Sequence, residues 1–258
     1  MLLLDIDNTL IPSAFAYESA LGEVEKTWNR WNKSESGSFP DLYQEARKQV
    51  KFDLKSQPSN RQRILCFKKM WEFTNGFLDS KALERTLKME EIYFQAFGKY
   101  LDSYFFENRK NYIEVFKLWK EIQESETILL LSNENLRTQI LKLLNLFPRD
   151  IRFQILTSEE AGMEKPNREI FERALKKGKN PKKKSYIIGD SWEDDIKGGA
   201  ALGLRLIHLK EMFGDRFYSE SVGPPAGIQA IRVKNLIRGL EIFIAESLHG
   251  KPLSQVRS

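Results

Sequence analysis

Between Pro12 and about Glu121 the apolar positions recur at three- and four-residue steps. Tyr17, Leu21, Val24, Trp28 and Trp31 mark one face of an amphipathic helix. Similar stripes follow at Ile64, Phe67 and Trp71, at Leu83, Leu87, Phe94, Phe97 and Leu101, and at Tyr112, Phe116 and Trp119, separated by breakers such as Ser34 to Pro40 and Asn75-Gly76. The segment therefore reads as all-helical. From Glu126 onward the pattern changes to short apolar runs alternating with helical stretches. Strands are predicted at Thr127 to Leu131, Phe153 to Leu156, Tyr186 to Ile188, Arg205 to Leu209 and Ile228 to Val233. Helices are predicted through Ile140 and Leu144, and near Arg168 to Lys177, Glu193 to Leu202 and Asn235 to Leu248. Such alternation predicts a parallel sheet, to which Leu2 to Ile6 adds an opening strand. The expected class is α/β: a doubly wound, Rossmann-type parallel sheet built discontinuously from residues 1–12 and 122–258, with a helical domain at 13–121 inserted.

Composition sharpens this division, since 21 of the 30 aromatic residues fall between Pro12 and Glu121. A chain of 258 residues, 41% hydrophobic, can bury a sizeable core, which excludes a disordered protein. The lone Cys66 excludes an internal disulfide and a multi-cysteine metal site, and suits a reducing compartment. The opening Met1 to Leu4 run stops at Asp5, and no later stretch approaches a membrane span, so a cytoplasmic protein without membrane attachment is expected. A net charge of +5 gives a mild attraction for anions such as phosphate esters. It is too small an excess to indicate nucleic-acid binding, and the Lys182-Lys183-Lys184 run reads as a solvated turn.

In open parallel sheets, functional groups gather beyond the carboxyl ends of the strands. The first predicted strand ends in Asp5-Ile6-Asp7-Asn8-Thr9-Leu10 and the second in Ser132-Asn133. Gly162-Met163-Glu164-Lys165-Pro166 follows the third, and the fourth ends in Gly189-Asp190, with Asp194 and Asp195 close behind. Carboxylates, a hydroxyl and an amine make a set suited to phosphoryl transfer with a divalent cation. Each motif alone has a structural explanation, as a turn, a helix cap or a solvated side chain. Their order on successive strand ends is what points to a site.

These four motifs, in this order and spacing, resemble those of the haloacid dehalogenase-like hydrolase superfamily over roughly residues 1–11 and 122–209, and the insertion is similar to that family's helical cap in position and composition. The resemblance implies Asp5 as the nucleophile that becomes an aspartyl-phosphate, and Asp7 as the acid that protonates the leaving oxygen and later activates water. It further implies Mg²⁺ held by the Asp5 carboxylate, the Asp7 backbone carbonyl and Asp190. Lys165, the Ser132 hydroxyl and the Asn133 backbone N–H are implied phosphate-binding groups, and Asp195, rather than Asp194, is implied to position Lys165 or a metal-bound water. A dehalogenase has no use for an acid at position 7, so phosphatase chemistry is favoured. Asn167-Arg168 and Gly198-Gly199 depart locally from the usual family text without removing a functional group.

The expected function is Mg²⁺-dependent hydrolysis of a small phosphorylated metabolite, such as a nucleoside monophosphate or a sugar phosphate. A phosphomutase and a non-catalytic binding protein of the same fold are the alternatives. His208 and Cys66 read as structural residues and His249 as a solvated helix end. Neither partner copies nor an oligomeric state follow from the sequence.

Overall fold

The computed structural model describes residues 1–32, 37–144, 146–179, 185–213 and 227–251. The lysine run at 182–184 and part of the breaker before Pro40 lie outside these. The chain divides into two compact units, Met1–Pro12 with Phe105–Ser258, and Ser13–Tyr104.

The first unit is built on six parallel strands: β1 (Leu2–Leu4), β2 (Ile128–Ser132), β3 (Gln154–Thr157), β4 (Tyr186–Gly189), β5 (Arg205–Leu209) and β6 (Ile231–Val233). Their spatial order is β3-β2-β1-β4-β5-β6, so the chain lays strands on one side of β1 and then crosses to the other. Leu3 registers with Leu129 on one flank and Ile187 on the other. Strands covered on both faces need no polar alternation, which is why Leu2, Leu3 and Leu4 can be consecutive and all buried. The reversal of strand order at β1 and β4 opens a crevice beyond their carboxyl ends, where ligands bind in such sheets.

Strand limits differ from expectation where chemistry intervenes. β1 stops at Leu4 instead of Ile6, because Asn8 takes a left-handed conformation (φ 60°) and the Leu10 and Ile11 amides both donate to the Ile6 carbonyl, turning the chain. β6 is shorter than predicted. The predicted helix at Glu193 begins as a wide π-helical turn, Trp192–Ile196, before the α-helical turn Lys197–Ala200.

The second unit contains four α-helices among its described residues, α1 (Ser13–Trp31), α2 (Phe39–Leu54), α3 (Arg63–Asn75) and most of α4 (Ser80–Glu107), with a 3-10 turn at Pro58–Arg61. The Ser38 hydroxyl accepts the Asp41 amide to start α2, and Gly76, at φ 76°, ends α3 in the left-handed conformation that glycine adopts without a Cβ clash. Its core is aromatic, with Trp28 and Trp71 rings 4.3 Å apart and Phe67, Tyr93 and Phe97 in contact. Cys66 is buried there, as expected. Leu83 and Leu87, read as part of the buried stripe of α4, are instead exposed, and Ala82, Thr86, Met89 and Tyr93 face inward.

The helix α5 (Arg109–Gln123) falls in the α/β unit, so the division lies at Tyr104 and not at residue 121. Particular contacts explain this. The Tyr112 hydroxyl donates to the Leu10 carbonyl at 3.0 Å, and Trp119 packs edge-on against Phe147 and Phe153 while its indole N–H donates to the Arg152 carbonyl. Among the described residues no helix is long and apolar enough to cross a membrane.

Candidate active site

Asp5, Asp7, Ser132, Asn133, Lys165, Asp190 and Asp195 all belong to the α/β unit. Asp5 follows β1 directly, its amide donating to the Ile188 carbonyl of β4. Lys165 lies in the loop between α7 (Ser158–Ala161) and α8 (Arg168–Lys177), and its ammonium is 2.6 Å from Asp5 Oδ1, 2.6 Å from Asp195 Oδ1 and 2.9 Å from the Leu131 carbonyl. Three acceptors match the three N–H bonds of an ammonium, so a fully charged lysine is accommodated almost wholly out of water. Burial opposes that charge, but Asp195 and Asp5 outweigh it and raise the Lys165 pKa. The loop itself is pinned by the Asn133 side chain, whose amide donates to the Lys165 carbonyl and accepts the Lys165 N–H.

Asp195 reaches Lys165 by passing over the backbone of Gly189. A Cβ at Gly189 would stand 2.3 Å from Asp195 Oδ2, so only glycine leaves room. The second oxygen of Asp195 accepts the Ser191 N–H at 3.2 Å. Asp194, by contrast, has its backbone amide in the cap formed by the Ser191 hydroxyl. Asp190 is held by Thr9, whose hydroxyl donates to Asp190 Oδ1 at 3.0 Å and accepts the Asp190 amide at 3.1 Å. His208 is buried, as expected of a structural residue. Its Nε2 lies 2.9 Å from the Asp190 carbonyl and its ring meets Trp192 edge-on, supporting the loop from below.

Asp7 points to a different cation. Its carboxylate pairs with Lys142, accepts from Gln139 Nε2 at 2.7 Å and accepts from the Ser132 hydroxyl at 3.2 Å. Gln139 and Lys142 were not anticipated as site residues. They lie on α6 (Leu136–Leu143), which Asn135 starts by accepting the Thr138 amide. The helix turns a largely polar face inward: Thr138, Gln139 and Lys142 are buried beside Leu143, whereas Ile140 and Leu144, which suggested the helix, are exposed. A lysine and a glutamine three residues apart, on the helix following Ser132-Asn133, were the available signal. Thr9 belonged to the recognised motif but had been given no role.

Asp5, Asp190 and Asp195 offer carboxylate oxygens that all lie within 4.8 Å of one another. Burial, more than any neighbour, raises the pKa of each, and repulsion adds to it: from Asp7 at Asp5, from Asp5 and Asp195 at Asp190, and from Asp5 and Asp194 at Asp195. Asp195 is pushed up to about 7. One ammonium does not balance three carboxylates, and hard oxygen donors so arranged fit a hard divalent cation. With Asp195 engaged by Lys165 and the Ser191 amide, Asp5 and Asp190 are the carboxylates better placed to hold it.

Comparison with known proteins identifies the family. A protein named ribulose-1,5-bisphosphate 5-phosphatase, from Halopiger xanaduensis, is 28% identical over 207 residues, covering 80% of this chain and 82% of that one. A glyceraldehyde 3-phosphate phosphatase from Methanothermobacter thermautotrophicus is 37% identical over 54 residues, 21% of this chain and 24% of its own. The crystal structure of a 2-haloacid dehalogenase from Pseudomonas syringae pv. Tomato shares the fold, with a TM-score of 0.66 at 20% identity over 95% of this chain and 97% of that one. The haloacid dehalogenase-like hydrolase family model matches residues 1–203, and the chain belongs to that family.

Proposed function

We propose that the protein is a Mg²⁺-dependent phosphatase that hydrolyses a small phosphomonoester through an aspartyl-phosphate on Asp5. The observation that carries this reading is the Asp5–Lys165–Asp195 arrangement at the β1/β4 switch, with a second, separately held acid at Asp7. An ester phosphate entering here meets the Lys165 ammonium, which offsets repulsion between the phosphate and the Asp5 carboxylate. The Asn133 backbone N–H and the Ser132 hydroxyl, turning its hydrogen from Asp7 to the ester, bind further phosphoryl oxygens.

Asp5 Oδ attacks phosphorus as the bond to the leaving oxygen breaks, and protonated Asp7 delivers its proton to that oxygen. Asp7, now a carboxylate, then takes a proton from water as the water oxygen attacks phosphorus. The Asp5–phosphorus bond breaks, giving inorganic phosphate and restoring both acids. Asp5, Asp190 and the Asp7 carbonyl would hold Mg²⁺, which supplies charge neutralisation at the phosphoryl group.

The dehalogenase likeness concerns fold alone, and Asp7 favours a phosphate ester, whose alkoxide needs a proton on leaving. The relative matched over most of the chain is named for a sugar bisphosphate, which supports a sugar phosphate; the short matches divide between a triose phosphate phosphatase and a pyrimidine 5'-nucleotidase from Escherichia coli. In the helical unit Trp28, Trp71, Phe67, Tyr93 and Phe97 are engaged with one another. The test is a panel of phosphorylated sugars, short-chain metabolites and nucleotides, scored for released phosphate. We expect hydrolysis of sugar phosphates with Mg²⁺, its loss in EDTA and its return on adding Mg²⁺. Activity indifferent to EDTA would contradict the metal site, and release from no ester would contradict the phosphatase reading.

A further inference from the structure

Lys142 and Gln139 occupy a place that packing does not explain. Both are fully buried, on an inward face of α6 that they share with Thr138 and Leu143, while the apolar Ile140 and Leu141 lie outside. Taking an ammonium out of water is costly, and an apolar pair of similar volume often stabilises a core as well as a buried ion pair does. The Gln139 amide also faces Asp7 and Ser132 with its nitrogen, at 2.7 and 2.5 Å, although its oxygen Oε1 is buried with no hydrogen-bond partner among the described residues. A glutamine serving the core alone gains nothing from that arrangement, since an unsatisfied buried acceptor is destabilising. Both side chains converge on one carboxylate, and they contact different oxygens of it: Lys142 at Oδ1 and Gln139 at Oδ2.

We propose that Lys142 and Gln139 are positioning residues for the leaving-group acid: they fix the Asp7 carboxyl group in one rotamer, aimed at the ester oxygen. The proposal rests on the phosphatase reading above, in which Asp7 carries the proton. A carboxyl group on a turn, partly open to solvent, has freely rotating side-chain bonds. Proton transfer in the transition state demands hydrogen-bond reach and direction, so two contacts from a rigid helix convert a mobile acid into an oriented one. Their spacing at i and i+3 on α6 is what allows one helix to grip both oxygens.

The consequence is selective. An acid matters most when the leaving oxygen is strongly basic and least when it departs readily as an anion. The experiment compares kcat/KM for benzyl phosphate and for 4-nitrophenyl phosphate, two esters of similar shape, in wild type, Lys142→Met, Lys142→Arg and Gln139→Leu, all with Mg²⁺. This ratio reports the first half-reaction only, in which the leaving group departs. We expect Lys142→Met to lower kcat/KM for benzyl phosphate by about 10²-fold, the lower end of what general acid catalysis contributes, with a much smaller loss for 4-nitrophenyl phosphate. Lys142→Arg should restore part of the benzyl phosphate activity. Equal losses on both esters, or none, would overturn the proposal, because a merely structural role does not distinguish leaving groups. Should Lys142→Met fail to fold, Gln139→Leu decides on the same criterion, since it removes one contact without stranding a charge. A wild type inactive on both esters would overturn the phosphatase reading itself, whereas an active wild type with unselective variants overturns only the positioning role.

Discussion

Lys165 is the residue on which the site's electrostatics converge, because it bridges two buried carboxylates from different elements while a strand carbonyl takes its third hydrogen. Removing it is predicted to cost stability as well as turnover. Lys165→Met leaves Asp5 and Asp195 facing each other without a cation, and breaking a buried ion pair in this way is worth about 3–5 kcal/mol. Chemical denaturation with an unchanged midpoint would contradict this, and so would phosphate release at the wild-type rate. The identities of Asp5, Asp7, Lys165, Asp190 and Asp195 were legible in the sequence because they lie in the segments that follow β1, β3 and β4 at the sheet's carboxyl edge. Their partnerships were not. No sequence pattern shows that Asp5 and Asp7, two residues apart, pair with different lysines, since this depends on the turn that Asn8 makes at φ 60°.

At the scale of elements, the junction between β4 and the turn Trp192–Ile196 illustrates how backbone permits chemistry. Gly189 ends the strand, and the Asp195 side chain lies across the space that a Cβ would fill. Gly189→Ala is predicted to push Asp195 off Lys165, destabilising the fold by about 1–3 kcal/mol, as overpacking does, and lowering kcat/KM. Thermal melting and kinetics on the best panel substrate check this, and an alanine variant equal to wild type in both would show that Asp195 has room to move. Most strands were readable from apolar runs, because strands covered on both faces read as near-continuous hydrophobic stretches, whereas their order in the sheet was not. Helix orientation was harder to read. On α6 the usual rule places Ile140 and Leu144 inside, yet three of the four buried positions, Thr138, Gln139 and Lys142, are polar, and such local conflicts between pattern and structure belong to functional surfaces. Likewise an aromatic stripe shows that α5 buries one face but not which unit receives it.

Across the whole molecule, the α/β unit contains every group the proposed chemistry requires, although its first dozen residues are separated from the rest by Ser13–Tyr104. Strand β1 makes this possible: by lying between β2 and β4 it brings Asp5 beside residues more than 150 positions away in the chain. The central claim is that Asp5 itself accepts the phosphoryl group. Its most direct test is acid quenching of the enzyme during turnover of 4-nitrophenyl phosphate with Mg²⁺, followed by peptide mapping for the phosphorylated residue. The account predicts phosphate on Asp5 and, in a folded Asp5→Asn variant, neither label nor turnover, with kcat reduced by at least ~10³-fold, as expected on losing a nucleophile. A label on another residue, or Asp5→Asn turning over near the wild-type rate, would contradict it.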